Sequence, residues 1–414
     1  MRKILTISLL TVVMSFYIFP VSFTFLPFFL NSKMIIAGFG VAAFAFDSVR
    51  KSSLEVSNFT LISGLFAVVF SLWCLFCIVF NGSTDTSYAT YIVSFLTWLF
   101  GAYGVCVFLR MENGGPAGIA TITRYLAFAG VFQCIAAVLI DNYTGISNFV
   151  DRFFDMGQNF YKMGGRLYGI GAALDPGGIR FSVILVMIAQ QFYVNAKSGE
   201  SNIYQPVNLV SFSIITIIGA VISRTTLVGA GLGLAYMVVS MLQLRKGGFI
   251  TTRTLQLYMI FVSVIVAIFA FIFYFYIHSS TFHGYLRFGF EAFFNWMETG
   301  EFRTNSTDHL STMWIWPTDA LTWLIGRGTF GVFDNFTDIG YCNFIFYCGL
   351  IGLLIFSFYF IYTHLSMNGK FNDFRICSWM LVALTFIVWV KVTTDIFFID
   401  ALLLCALPDK IADK

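Results

Sequence analysis

Short polar connections divide the chain into twelve apolar runs: 4–20, 33–48, 59–80, 89–109, 121–140, 179–195, 207–222, 226–244, 255–277, 339–363, 376–391 and 396–407. A soluble domain cannot bury so many long apolar segments on every side at once. A bilayer can, because its hydrocarbon core of about 30 Å is crossed by roughly 20 apolar residues in an α-helix, which satisfies its own backbone polar groups. Composition agrees: 58% of residues are hydrophobic, 11% are charged and the mean hydropathy is +0.82, against about 25% charged residues in a soluble domain. The expected fold class is all-α, a polytopic integral membrane protein with about 12 helices. Residues 1–414 read as a single transmembrane domain, with no length left for a separate soluble unit. The runs 33–48 and 396–407 are short enough to be half-spans.

Met1-Arg2-Lys3 before the first run resembles a signal peptide, but no small-residue cleavage site follows, so an uncleaved first helix is expected. If helices alternate in direction, Arg2, Lys3, Arg50, Lys51, Arg110, Lys197, Arg245, Lys246, Arg253, Lys370, Arg375, Lys410 and Lys414 share one side. The positive-inside rule makes that side cytoplasmic, with both termini on it. The opposite side then carries two enlarged loops, 141–178 and 278–338. The second is far longer than an ordinary connection. Its stretch 284–297, with Leu286, Phe288, Phe290, Phe293, Phe294 and Trp296 among Arg287 and Glu291, suits a helix lying at the membrane interface. A second such piece is expected over 317–325.

Arginines gather on that outward side: Arg152, Arg166, Arg180, Arg224, Arg287, Arg303 and Arg327. Arg224 is the most constrained, because Val-Ile-Ser-Arg-Thr-Thr-Leu-Val-Gly joins two apolar runs with almost no loop. A guanidinium there sits at the membrane surface and needs an anionic partner, and its fork matches phosphate oxygens. An acidic residue of the long loops would also serve, as would snorkelling to the interface. Asp334 and Asp338 precede the run 339–363, where a helix cap competes with a functional role, Asp338 suiting the cap best. His309 lies deep in the second loop, where a general base and a solvated side chain are both readings. His278 and His283 suit interfacial anchoring, and His364 is placed on the cytoplasmic side. Lys391 and Asp395 flank the break between the last two runs and are expected to pair with each other.

Several chemistries lose support. There is no Walker-type glycine loop, no Gly-x-Ser-x-Gly elbow and no His-Glu-x-x-His. Cys74 and Cys77 form a CxxC inside an apolar run, which reads as packing. Gly164, Gly165, Gly169 and Gly171, around Arg166 and Tyr168, neither follow a strand nor open a helix, so they give no dinucleotide site. The net charge of +3 is too small to suggest nucleic acid. No metal or other cofactor is expected.

With these features in place, the chain resembles the O-antigen and capsular polysaccharide polymerases of the Wzy type, relatives of the O-antigen ligases. Ser223-Arg224-Thr225-Thr226 is similar to the family's Gly/Ser-Arg-Thr junction between two helices. Thr337-Asp338-Ile339-Gly340-Tyr341, leading into Phe344–Gly352, resembles the segment that follows the large loop. Arg166 followed by ten residues and Gly177 matches the Arg-x10-Gly pattern of the outward loops. The second loop departs from it, since Arg287 and Arg303 meet Glu298 and Trp314 at that spacing. The ligases' His-x10-Gly pattern also fails, His309 meeting Ala320.

The resemblance implies an enzyme of the bacterial inner membrane, multi-pass with two periplasmic loops. It would transfer a polyprenyl-diphosphate-linked glycan onto another lipid-linked repeat unit at the periplasmic face. Its partners would be lipid-linked oligosaccharide, membrane lipid and a chain-length regulator. Arg224, Arg180 and Arg287 are then the expected cations at the leaving diphosphate, and Asp338 or His309 the expected base. Arg166, Arg303, Arg327, Tyr168 and Tyr341 are the expected substrate contacts, with Trp296, Trp314 and Trp316 as further sugar-stacking faces. An O-antigen ligase, or a transporter or flippase of lipid-linked glycans, are the rival readings. A transporter predicts charges strung along helix interiors and repeated halves, and no repeat is found.

Overall fold

The computed structural model describes residues 2–27, 30–113, 117–156, 166–198, 205–244, 252–330 and 337–406. Of the residues singled out above, Asp334, Gly164, Gly165, Arg245, Lys246, Lys410 and Lys414 lie outside them. Each of the twelve apolar runs contains an α-helix. Five of these, α1 (Arg2–Ile18), α2 (Ser32–Lys51), α3 (Asn58–Asn81), α4 (Tyr91–Asn113) and α5 (Ile119–Asn142), precede the first long connection, which holds α6 (Thr144–Phe153). Then come α7 (Leu174–Ser198), α8 (Gln205–Ile222), α9 (Thr226–Leu244) and α10 (Thr252–His278). The second long connection contains α11 (Ser280–Gly289), α12 (Glu291–Thr299), α13 (Asn305–Ser311) and α14 (Ala320–Ile325). It leads to α15 (Gly340–Ser366), α16 (Arg375–Val388) and α17 (Phe397–Cys405).

Among the described residues, eight helices, α2–α5, α7, α9, α10 and α15, are long and apolar enough to cross a bilayer. The protein is thus a helical, multi-pass membrane protein by the length and composition of its helices. α1, α8 and α16 are apolar but shorter, and α17 has nine residues. One pair of two-residue strands, β1 (Ser22–Phe23) and β2 (Phe154–Asp155), runs antiparallel and ties the α1–α2 connection to the end of α6.

Burial sorts the helices into a centre and a rim. In α7, 89% of the apolar window is buried, against 11% in α10. Leu61, Leu65, Phe269 and Phe273 on α3 and α10 stay exposed, as lipid-facing side chains do, whereas Phe181 to Phe192 of α7 are enclosed on all sides. A helix apolar all round belongs in the middle. Small residues let its neighbours close in: a Cβ on Gly229 of α9 would fall 2.1 Å from Ser182 Cα, so only glycine permits that crossing.

Two interruptions shape the loop end of the bundle. In α15, Gly349 adopts φ 66°, ψ −177° and breaks the helix, a conformation open to glycine alone. The carbonyls this frees are satisfied: Phe346 O by Arg327 N at 2.6 Å, Tyr347 O by Gly328 N at 2.9 Å, and Cys348 O by Trp73 Nε1 at 2.8 Å. The segment following α14 therefore docks into the kink. The second interruption is 389–396, between α16 and α17. α17 is about 13 Å long at 1.5 Å per residue, under half a bilayer core. Both of its ends are capped inside the protein. Asp395 Oδ1 accepts from Phe397 N at 2.9 Å, and Lys370 Nζ donates to Leu403 O and Leu404 O at 2.8 and 2.5 Å. Lys370 lies in the α15–α16 turn, so α17 runs back antiparallel to α16, and its N-terminus opens toward the long connections.

Several sequence expectations need correction. The helix expected over 179–195 begins at Leu174, so the first long loop ends with a helical turn. The amphipathic piece 284–297 is two helices, α11 and α12, broken at Phe290 after Gly289. The piece expected over 317–325 is helical only from Ala320, capped by Asp319, whose side chain accepts from Thr322 N. Asp338 caps nothing: the N-cap of α15 is Ile339, and the Asp338 side chain is exposed. Cys74 and Cys77 are buried free thiols, in keeping with packing.

Candidate functional site

The start of α7 is the centre of the site. Leu174 enters it with φ 49°, a left-handed conformation costly for a branched side chain, and Pro176 in the first turn needs no backbone donor. Gly178 follows because a Cβ there would meet Ser223 Oγ at 2.5 Å. That close approach brings the α8–α9 junction onto the first turn of α7. Asp175 then acts as a hub: its Oδ1 accepts from Lys391 Nζ at 2.8 Å, Thr225 Oγ1 at 2.6 Å and Ser223 Oγ at 3.3 Å. One carboxylate joins three segments distant in sequence.

Two cavities flank this turn. The first, of about 140 Å³, is lined by Trp98 of α4, Pro176, Ile179 and Arg180 of α7, Thr393, Thr394 and Asp395 of the break, and Phe398. Arg180 makes no hydrogen bond or ion pair with another described residue; its charge acts on Asp395 and on Lys33. Lys33 stacks over the Trp98 ring at 4.3 Å. The second cavity, of about 70 Å³, lies between Leu174, Asp175, Ile222, Ser223, Arg224, Lys391, Arg166, Phe288 and Ser306.

In the second cavity Arg224 already has company. Its Nε donates to Phe288 O at 2.8 Å, its guanidinium lies 4.1 Å from the Phe288 ring centre, and Nη2 sits 2.6 Å from Glu291 Oε2. The sequence left an acidic loop residue open as its partner, and Glu291 is that residue. Burial lowers the Arg224 pKa, Glu291 opposes the shift and nearby Arg166 adds to it. Among the described residues around the two cavities, five cations (Lys33, Arg166, Arg180, Arg224 and Lys391) face three carboxylates (Asp175, Glu291 and Asp395). Positive charge in excess beside enclosed volume calls for an anion.

Of the residues expected at the site, Arg166, Arg180 and Arg224 come together, and the others do not. Arg287 is exposed and held by both oxygens of Glu298, at 2.5 and 2.7 Å. Glu298 stands eleven positions on, where the resemblance would put glycine. Arg303 reaches Glu301 and Asp308 on the surface. Arg327 lies 3.9 Å from Asp319, over the Phe346 ring; its firm contact is the backbone one in the kink. His309 is exposed on α13, although Ser306 on the same helix lines the second cavity. Tyr168 is buried with Ile140 and Val150 and offers no face to a sugar. The Tyr341 hydroxyl donates to Phe386 O at 2.8 Å. Trp314, Trp316 and Trp323 form a partly exposed cluster of their own, Trp316 and Trp323 stacked at 5.5 Å.

Sequence reasoning missed Lys33, Asp175 and Glu291 as site members and paired Lys391 wrongly. Lys391 bonds Asp175, while Asp395 caps α17 and faces Tyr91. One signal was available: Lys33 lies in the first turn of α2, where the helix dipole disfavours a cation. The bundle also hides a second group of ionisable side chains. His364, expected on the cytoplasmic side, is wholly buried, with Nδ1 2.7 Å from Asp400 Oδ1 and Nε2 3.0 Å from Thr385 Oγ1. Among the described residues no group of three or more His, Cys, Asp or Glu side chains is arranged to hold a metal ion. No family model, curated protein or solved structure matches this chain.

Proposed function

We propose that the protein polymerises polyprenyl-diphosphate-linked oligosaccharide repeat units, by glycosyl transfer at the outer face of a bacterial inner membrane that its long apolar helices cross. The observation that carries this reading is the excess of cations around two small cavities at the start of α7. At about 140 and 70 Å³, each is well below the roughly 300–1,000 Å³ of an ordinary small-molecule pocket. Such volumes suit phosphate groups. The glycan would lie beyond them, against the exposed tryptophans of the second long connection.

In the step proposed, an acceptor hydroxyl oxygen bonds to the donor sugar's anomeric carbon as the bond from that carbon to the diphosphate oxygen breaks. The hydroxyl proton passes to a carboxylate, and the lipid diphosphate leaves with the bonding pair. Arg180, Arg224, Arg166, Lys33 and Lys391 neutralise the developing charge. Asp395, on the wall of the first cavity beside Arg180, is better sited as base than Asp338 or His309, both exposed and outside the cavities.

The test is purified protein in detergent with lipid-linked repeat units. Polymer ladders formed without added nucleotide support the reading. Vesicle translocation of the glycan without elongation overturns it in favour of a transporter, and transfer only to a lipid A core acceptor overturns it in favour of a ligase. Arg224→Lys keeps the charge and loses the fork; full activity in that variant removes Arg224 from the site.

A further inference from the structure

We infer that Glu291 is an internal competitor for the anion site, occupying Arg224 at rest and yielding to the phosphate of an incoming ligand. The inference rests on the anion-site reading above and adds its regulation. A carboxylate and a phosphate address a guanidinium through the same oxygen geometry, so a carboxylate held there is a substitute ligand.

Among the described residues, the hydrogen bond, ring contact and ion pair of the Arg224 side chain all come from one short stretch at the α11–α12 join: Phe288 O, the Phe288 ring and Glu291. The ion contact is close but poorly aligned. Nη2 is 2.6 Å from Glu291 Oε2, yet that oxygen accepts no hydrogen bond. Only Nε is used in a directed bond, which leaves the terminal N–H groups for a better-placed oxyanion.

The element carrying Glu291 is loosely attached. α12 has no buried residue, and its other ties are of the surface kind: the Arg287–Glu298 pair, an edge contact of Phe293 with Phe269 at 6.4 Å, and Phe294 stacked on Tyr276 at 5.4 Å. Glu291 is itself the enclosed member, its side chain 13% exposed. Its other oxygen accepts from Asn305 N at 3.3 Å, at the first residue of α13, and α13 presents Ser306 to the cavity. Withdrawing Glu291 therefore releases two walls of the second cavity together, the Phe288 side and the Ser306 side. The device gates donor entry by exchanging one anion for another, and no large rearrangement of the bundle is needed.

The probe is inorganic pyrophosphate, titrated calorimetrically into the full-length protein in detergent. Glu291→Gln keeps the shape and removes the charge, and is expected to tighten pyrophosphate binding by about tenfold or more, the scale of one charge-assisted contact. Adding Arg224→Gln to that variant is expected to abolish the gain. Binding no tighter in Glu291→Gln overturns the inference, as does a gain that survives Arg224→Gln. Should Glu291→Gln fail to fold, hydrogen exchange on the native protein decides. Saturating pyrophosphate is expected to raise exchange across 291–299, and unchanged or reduced exchange overturns the proposal. The ladder assay separates the two readings. Ladders with no tightening leave a polymerase without this latch, and tightening without ladders leaves an anion-gated site in a protein that is not a polymerase.

Discussion

Two clusters of ionisable side chains touch the half-length helix α17, one at each part of it, and they differ in a way that separates a site from a strut. Toward the α15–α16 turn, His364, Asp400 and Thr385 fasten α15, α17 and α16 together, and both ring nitrogens of His364 are used. At the N-terminal end, Asp395 shares a cavity with Arg180, which makes no hydrogen bond or ion pair with a described residue and feels Asp395 only through its charge. The residue types are similar at the two ends. What differs is pairing: ionisable groups bonded to one another hold helices together even with Asp400 Oδ2 accepting no hydrogen bond from a described residue, whereas surplus cations beside open volume have work left for a ligand.

Substitutions at the first cluster give the largest effect on stability. Asp400→Leu strands a buried histidine beside a hydroxyl, and removing one member of a buried pair costs about 3–5 kcal/mol. Unfolding in a mixed-detergent titration is expected to show that loss. Adding His364→Leu is expected to recover most of it, because two apolar residues need no partners. A double variant that stays as unstable as the single one, or that loses activity at restored stability, would make the His364–Asp400 set functional and dissolve the contrast.

The opposite pattern is expected at Arg180. Arg180→Ala removes a cation aimed into a cavity, and loss of one such electrostatic group typically costs about 10²–10³ in turnover. Because no hydrogen bond or ion pair to a described residue is broken, and burial of the guanidinium outweighs the attraction of Asp395, the unfolding midpoint is expected to be unchanged or raised. A large fall in stability with retained turnover would move Arg180 to the structural class.

The contrast also marks how far a sequence can be read. Apolar runs state their own environment, so a helix within each of them was legible, and Arg224 stood out because an arginine between two such runs has nowhere to hide. Arg166 and Arg180 were named from the expected gathering of arginines on one side. Partner choice was not legible, because it depends on which chain segments the bundle brings together. Lys391 and Asp395 are four apart and look like a pair, yet Lys391 turns to Asp175 across 216 positions, since α17 doubles back and the Gly178 contact pulls the α7 start alongside. Glu291 read as one charge of an amphipathic stretch; the break at Phe290 turns it inward. His364 read as an end-of-helix residue, and only the return of α17 buries it.

A smaller effect is expected at the hub itself. In Asp175→Asn the amide oxygen still accepts from Thr225 and Ser223, but Lys391 loses its counter-ion. A hydrogen bond to a charged group contributes about 1.5–3 kcal/mol, and partial exposure here puts the loss at the lower end. A double-mutant cycle with Lys391→Met measures the pair, with about 1 kcal/mol of coupling expected between groups in contact. Coupling near zero would show that Lys391 is already free for a ligand, and would widen the cation surplus on which the contrast rests.

The smallest effect is expected at the residue the sequence ranked beside Arg224. Arg287 and Glu298 face each other in the open, and an exposed pair contributes little because water and salt screen it. Arg287 holds the Glu298 carboxyl below the ordinary carboxylate value. The sign follows: whatever the pair contributes is present above that ordinary value and is lost as the pH falls through the lowered one. Glu298→Gln is expected to leave turnover within a factor of about two and to flatten any acid-side drop in the melting profile that belongs to this pair. Arg287→Ala should do the same, since neither residue lines either of the two cavities at the start of α7. A fall in turnover of 10²-fold or more in Arg287→Ala, with the fold intact, would mean that Arg287 leaves Glu298 to meet the substrate. The boundary between matched and surplus charge would then lie inside the second long connection, and α12 would be a carrier of catalytic groups rather than a latch.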